Sequence, residues 1–273
     1  VSTLKPIMDQ AKTRFAPDYS YIFDVNKENT YDLFSVQFAS GNQGLGSSLA
    51  GYVTEGSGGV MIPEWFYSGY HLQGQDFRVD TLLVNDMKKL GDKRLETSVT
   101  EGYWDTTEHG FTPEDSAKHY KERCMMIKYL VKDNTNKTIK AWNDYPLNFP
   151  ILRPADAYLL YAEALINNNK ASQAKEWIDA IRQRADLSPL DHVPTMDDVM
   201  DERRYEFIGE GKRYFDLVRM GKDTFVSTLK NFSDHYEHVT KMGANNPSEK
   251  DLLLPIPLTV MNIQASWTNN PGY

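Results

Sequence analysis

The sequence predicts a mainly α-helical protein carrying a loop-rich stretch and a few short strands. Three observations support that expectation. Residues 2–15 set Leu4, Ile7, Met8, Ala11 and Phe15 at helical spacing, the pattern of an amphipathic helix that needs a partner. Tyr158 to Leu165 is apolar nearly all round, as in a central, buried helix. Ala174, Trp177, Ile178, Ile181 and Ala185 then form one stripe of a second helix. The change of character after Phe149-Pro150 divides the chain into a loop-rich, aromatic-bearing segment, 1–150, and a helical core with an extended tail, 151–273.

Along the chain, Leu33-Phe-Ser-Val-Gln-Phe38 alternates well enough for a strand. The Gly/Ser tracts 41–48 and 55–59 read as loops, and neither continues into the Gly-Lys-Ser/Thr of a phosphate cradle. Leu82 to Leu90 predicts a short helix, Asp92 to Val99 a turn into a strand, and Met125 to Val131 a further strand before the polar turn 133–137. Arg153-Pro-Ala-Asp156 supplies a proline and an acid for the first turn of the central helix. Asn167-Asn-Asn169 stops that helix, and Ser172 is the expected cap of the next. Together these two helices resemble one tetratricopeptide-type hairpin, too few for a solenoid alone. Thr195-Met-Asp-Asp198 is a capping-box-like start for a helix carrying Val199, Met200, Phe207 and Ile208. The tail from Leu252 to Tyr273 is apolar and proline-broken, a strap across the surface.

Composition narrows the function classes. A formal net charge of −8 argues against a nucleic-acid partner, which needs a dominant basic face. Cys124 is the only cysteine, so neither an internal disulfide nor a cysteine-based zinc site is encoded. No apolar run reaches the ~18 residues of a transmembrane helix. His235-Tyr-Glu-His238 spaces two imidazoles for a metal, but a solvated polar turn explains it better and no third ligand lies nearby. No cofactor is implied. The chain opens at Val1 without a leader or initiator Met, which predicts a mature or shortened chain whose first helix exposes a face and lowers stability or promotes self-association.

The fragment from Asp201 to Arg219 mixes Glu202, Glu206, Glu210 and Asp216 with Arg203, Arg204, Arg213 and Arg219, among Tyr205, Phe207, Phe215 and Leu217. Burying those aromatics drags the charges inward. Guanidinium–carboxylate pairing is then the cheapest way to hold them, so the fragment reads as an ion-paired clamp between helices. Nothing in it looks like a nucleophile or an isolated acid/base pair.

Three blocks now carry a resemblance: Ile151-Leu-Arg-Pro-Ala-Asp-Ala-Tyr-Leu-Leu-Tyr-Ala-Glu-Ala-Leu165, Asp201 to Gly221, and Leu253-Leu-Pro-Ile-Pro257 with the terminal Asn270-Pro-Gly-Tyr273. In that order they resemble the C-terminal part of the SusD/RagB family, the surface glycan-binding lipoproteins of Gram-negative bacteria. The resemblance covers 151–273 closely and 1–150 loosely. It implies a SusD-like tetratricopeptide-type helical scaffold with the loop-rich segment laid against it. It also implies oligosaccharide binding without chemistry, a SusC-like TonB-dependent transporter as partner, and an outer-membrane, surface-exposed location. Family members are longer at the N-terminus, where a lipid-modified cysteine and further helix pairs lie, so the anchor is expected outside this chain.

A sugar presents apolar C–H faces rimmed by hydroxyls and asks for flat aromatic platforms beside fixed polar groups. The stretch from Tyr52 to Trp104 offers them: Trp65, Tyr67 and Tyr70 as first candidates, Tyr103 and Trp104 next, with Gln75, Asp76 and Arg78 as hydrogen-bonding partners. Core packing competes for each ring. Two other classes stay open: a helical-repeat scaffold for another protein, and a glycoside hydrolase using carboxyls such as Glu64 and Asp76.

Overall fold

The computed structural model describes residues 2–49, 79–101, 103–105, 110–112, 124–130, 139, 141, 143–240, 246–264 and 266–273. Within these the chain forms two compact units, Val1–Glu210 and Gly211–Tyr273. The protein is mostly helical, with few and short strands.

In the first unit, α1 (Lys5–Thr13) begins with Pro6 in its first turn, where a missing N–H costs nothing. It finds a partner inside the chain. Met8 and Ala11 are buried in the cluster built by α4 (Pro154–Asn167), and Phe15 stacks flat on Tyr158 with ring centroids 4.7 Å apart. Ile7, on the same helix, stays 43% exposed. Helix α4 is as central as its composition predicts, burying Ala155, Tyr158, Leu159, Ala162 and Leu165. It packs against α5 (Ala171–Arg184) through Ala174, Trp177, Ile178 and Ile181. Lys170, not Ser172, occupies the N-cap of α5: Asn169 adopts a left-handed φ of 58° and the chain re-enters the helix two residues early. The α6 helix (Met196–Glu206) starts on the predicted capping box, Thr195 and Asp198 bonding each other's backbone N–H groups. It ends before Phe207 and Ile208, which are buried beyond its last turn.

The strands are brief ribbons. β1 (Phe34–Val36) pairs antiparallel with β6 (Phe149–Leu152). After α2 (Thr81–Leu90), the stretch expected to turn directly into a strand instead makes a short helix, α3 (Arg94–Ser98). The cause is Asp92, which is 4% exposed: its carboxylate accepts the Arg94 N–H at 3.0 Å and fixes a helical first turn. Only Val99 to Glu101 extends, as β2, pairing with β5 (Cys124–Met126). The expected strand from 125 to 131 is therefore shorter. It turns at Lys128 and Tyr129, whose side chains reach the carbonyls of Ile208 and Gly209 at 2.8 and 3.1 Å. Gly209 has a φ of 71°, and a Cβ there would lie 1.8 Å from the Met126 sulfur, so both conformation and space demand glycine.

The second unit holds α7 (Arg213–Arg219), α8 (Lys222–Thr240) and a short α9 (Leu258–Met261). Tyr214 donates to the carbonyls of Asp251 and Leu252 at 3.1 and 2.9 Å, tying the tail to α7. Phe215, expected to be buried, is 65% exposed, and its neighbour Leu217 takes the inner position. The tail is open along Leu253, Leu254, Leu258 and Ile263.

Candidate functional site

The candidate saccharide platforms Trp65, Tyr67 and Tyr70, with Gln75, Asp76 and Arg78, lie outside the described residues. What the structure does describe is how the chain is fastened on either side of them. Before them, Ser47 and Tyr145 exchange backbone hydrogen bonds at 2.8 and 3.1 Å. The Asp144 carboxylate collects the N–H groups of Gly41 and Asn42 at 3.0 Å, and Gly46 passes so close to Asp144 that a Cβ would meet its backbone at 2.4 Å. After them, the Val79 N–H bonds the Cys124 carbonyl at 2.7 Å, and Asp80 caps α2 by accepting from Leu82 at 3.0 Å. Val84, Val99 and Cys124 form a small apolar cluster beneath that exit.

Tyr103 and Trp104 sit on β3 (Tyr103–Asp105), paired antiparallel with β4 (Gly110–Thr112); Tyr103 faces Thr112 and Trp104 faces Phe111 in register.

The central carboxylates of the clamp, Glu202, Glu206 and Glu210, are buried. Arg94, 0% exposed, directs Nη1 to Glu202 at 2.6 Å and to Glu206 at 2.9 Å, while its Nε and Nη2 hold Asp92. Arg153, 1% exposed, bonds both oxygens of Glu210 at 2.7 Å and also Glu206. Arg184 adds a further bond to Glu206, and Lys128 meets Glu210 at 2.8 Å. Tyr19 and Phe207 flank Arg153, their ring centroids 5.9 and 4.5 Å from the guanidinium carbon. Burial pushes the Glu206 carboxyl up, but the charges of Arg184, Arg153 and Arg94 outweigh it and hold it well below the usual carboxylate range. Burial likewise opposes Glu210, and Arg153 and Lys128 overcome it. At Glu202 burial wins, and its carboxyl is raised despite Arg94.

The clamp is therefore ion-paired, as its composition predicts, and within it Arg219 meets Asp216 at 2.9 Å, but the cations that hold the buried Glu206 and Glu210 come from outside the fragment. Arg203 is buried beside Asp156 at 4.0 Å and lies over Phe207, and Arg204 reaches Asp86 at 3.6 Å. The cations that hold Glu206 arrive from α3, from the residue before α4, and from the last turn of α5. A buried network of this kind locks elements together. Among the described residues no group of His, Cys, Asp and Glu could hold a metal ion, and no helix is long and apolar enough to cross a membrane.

A family model described as the SusD family matches residues 18–273. A SusD-like protein of Bacteroides ovatus is 37% identical over 112 residues, covering 38% of this chain and 20% of the relative. The starch-binding protein SusD of Bacteroides thetaiotaomicron is 32% identical over 162 residues, covering 58% of this chain and 28% of the relative. Among solved structures, surface glycan-binding protein A from Bacteroides thetaiotaomicron, in complex with laminarihexaose, has a TM-score of 0.74 at 23% identity over 98% of this chain and 59% of that chain. At that identity the likeness establishes a shared fold, and the chain spans little more than half of the matched structure.

Proposed function

This chain belongs to the SusD family, and from that premise we propose that it binds oligosaccharide at the bacterial cell surface without transforming it. In this reading it hands the glycan to a SusC-like TonB-dependent transporter in the outer membrane. A lipid anchor holds it there. The observation that carries the reading is the family match across nearly the whole chain, joined to relatives named for starch and glycan binding.

The clamp supports the non-catalytic part. A glycosidase needs two facing carboxyls, one kept protonated. The buried carboxylates Glu206 and Glu210 are instead neutralised by guanidinium and ammonium groups and kept ionised, and Glu202, whose carboxyl burial raises, is shielded from solvent and bonded to Arg94. Saccharide recognition falls to the stretch from Trp65 to Arg78 and to the β3–β4 ribbon, with Trp65, Tyr67, Tyr70, Tyr103 and Trp104 as platforms and Gln75, Asp76 and Arg78 as polar partners.

Trp65→Ala should weaken binding of maltohexaose or laminarihexaose roughly tenfold in calorimetric titration, the equivalent of one lost stacking platform. Unchanged affinity would retire Trp65. Release of shorter sugars from either oligosaccharide on prolonged incubation would overturn the non-catalytic assignment.

A further inference from the structure

A histidine on the loop between α5 and α6 plays no part in the clamp or in the saccharide reading. His192 sits between two carboxylates, its Nδ1 2.9 Å from Asp191 and its Nε2 3.1 Å from both oxygens of Asp198. Asp198 is already committed. It accepts the Thr195 N–H at 2.8 Å and the Thr195 hydroxyl at 2.7 Å, closing the capping box of α6. Asp191, by contrast, has a side chain 99% exposed. The front of the loop is tied to α5: Asp179 accepts the Leu190 N–H at 2.8 Å, and Arg182 donates to the Ser188 carbonyl at 2.8 Å. Beyond Leu190, the contact of His192 with Asp198 joins the loop to α6.

The number of protons on the ring decides whether this arrangement can hold. A neutral imidazole has one N–H to give, and its other nitrogen presents a lone pair. Here both nitrogens meet carboxylate oxygens, so a neutral ring would set that lone pair against an anion on one side. Only the imidazolium donates in both directions. The surrounding charges agree in sign. Asp191 from the loop and Asp198 from α6 hold the protonated ring above its usual range. The first turn of α6 also carries Asp197, which with Asp198 offsets the positive end of the helix. From α5, Lys175 acts on Asp191 and is itself paired with Asp179.

From this geometry we infer that His192 is a proton-operated clasp: as imidazolium it fastens the α5–α6 loop to the first turn of α6, and on losing its proton it lets the loop loosen. Deprotonation costs one of the two bonds and removes the charge that strengthens the other. A ring that keeps its Nε2–H still holds Asp198 by an ordinary hydrogen bond and lets Asp191 turn to water. The Thr195–Asp198 box closes without His192, so the loosening stops at the loop and does not run into α6. Because the folded ring binds its proton more tightly than the unfolded one, the clasp is complete below the unfolded value of about 6.5 and is lost as pH rises through the raised folded value. His192 is half exposed, so water and salt screen the pair and keep the effect small. The inference is independent of the saccharide reading.

The test is NMR of the whole chain from about pH 5.5 to 8.5. The chain has six histidines, and the signal lost in His192→Gln assigns the ring. Both nitrogens of that ring should be protonated at about pH 6.5, and it should titrate above an unstructured histidine peptide. Across that titration, amide-exchange protection of residues 190–193 should fall roughly twofold to fivefold, the scale of a half-exposed pair, while that of 199–206 stays unchanged. His192→Gln keeps a donor but cannot titrate, so the step should vanish. Asp191→Asn, at an almost fully exposed side chain, should lower the titration point of the ring and leave the fold intact. A ring that titrates at or below the peptide value overturns the clasp. So does a protection step of the same size in His192→Gln, or one that spreads through 199–206.

Discussion

Two ion pairs in this chain have nearly the same length and opposite consequences. Arg94 meets Glu202 at 2.6 Å with both side chains almost wholly shielded from water. Lys222 meets Glu249 at 2.8 Å in the second unit with more than half of each side chain in solvent. Water around the second pair competes for both ions and screens their attraction, so its geometry carries little free energy. Around the first pair that competition is gone. The charges have lost hydration and depend on one another, and removing one strands the rest. Burial, not distance, separates a structural bond from a surface contact.

The contrast can be broken most directly at Arg153. Its guanidinium serves Glu206 and Glu210 together, so Arg153→Ala should cost about 3–5 kcal/mol of unfolding free energy in urea. A loss below about 1 kcal/mol would mean that water enters the cluster and that burial has been over-read.

A smaller effect sharpens the comparison through pH. Glu206 and Glu210 have folded-state carboxyls held below their ordinary range by Arg184, Arg153, Arg94 and Lys128 against the pull of burial. Between those depressed values and the unfolded carboxylate pKa of about 4.3, the unfolded chain binds more protons. Their stabilisation is complete above that unfolded value and is lost as pH falls through the folded ones. Glu202, raised by burial, has the opposite sign: its contribution is present below the unfolded value and is lost as pH rises through the raised one. Urea midpoints measured between pH 3 and 6 should fall steeply on the acid side, roughly the behaviour of linked carboxylates. Glu206→Gln should flatten that acid limb. An unchanged limb would remove Glu206 from the linkage.

The smallest effect belongs to the surface pair. Lys222→Ala should leave the thermal midpoint where it is, and added salt should not move it. A clear drop would show that the exposed pair behaves like the buried ones.

Different parts of the chain were legible to different depths. Helix starts could be read because they are settled within a few residues. Thr195 and Asp198 cap each other, and Pro154 with Asp156 opens α4 on the same local terms. The turn at Asp92 was legible but the helix α3 that follows it was not, because the Asp92 carboxylate is also drawn inward by Arg94, a tertiary demand laid on a local signal. Phe215 was misjudged because periodicity reports that one side of α7 is buried without saying which ring lies there. Of the candidate platforms, the structure reaches only the β3 backbone at Tyr103 and Trp104.

By itself, then, the sequence determined that the fold is mainly helical, where α4 and α6 begin, and that charges packed among aromatics in 201–219 must be neutralised. It could not say by which residues. Glu206 takes its counterions from positions 94, 153 and 184, and no local pattern encodes a contact spanning 112, 53 or 22 residues. Only the packing of α3, α4, α5 and α6 brings those guanidinium groups to one carboxylate. Only that packing removes the water that would have made their arrangement optional.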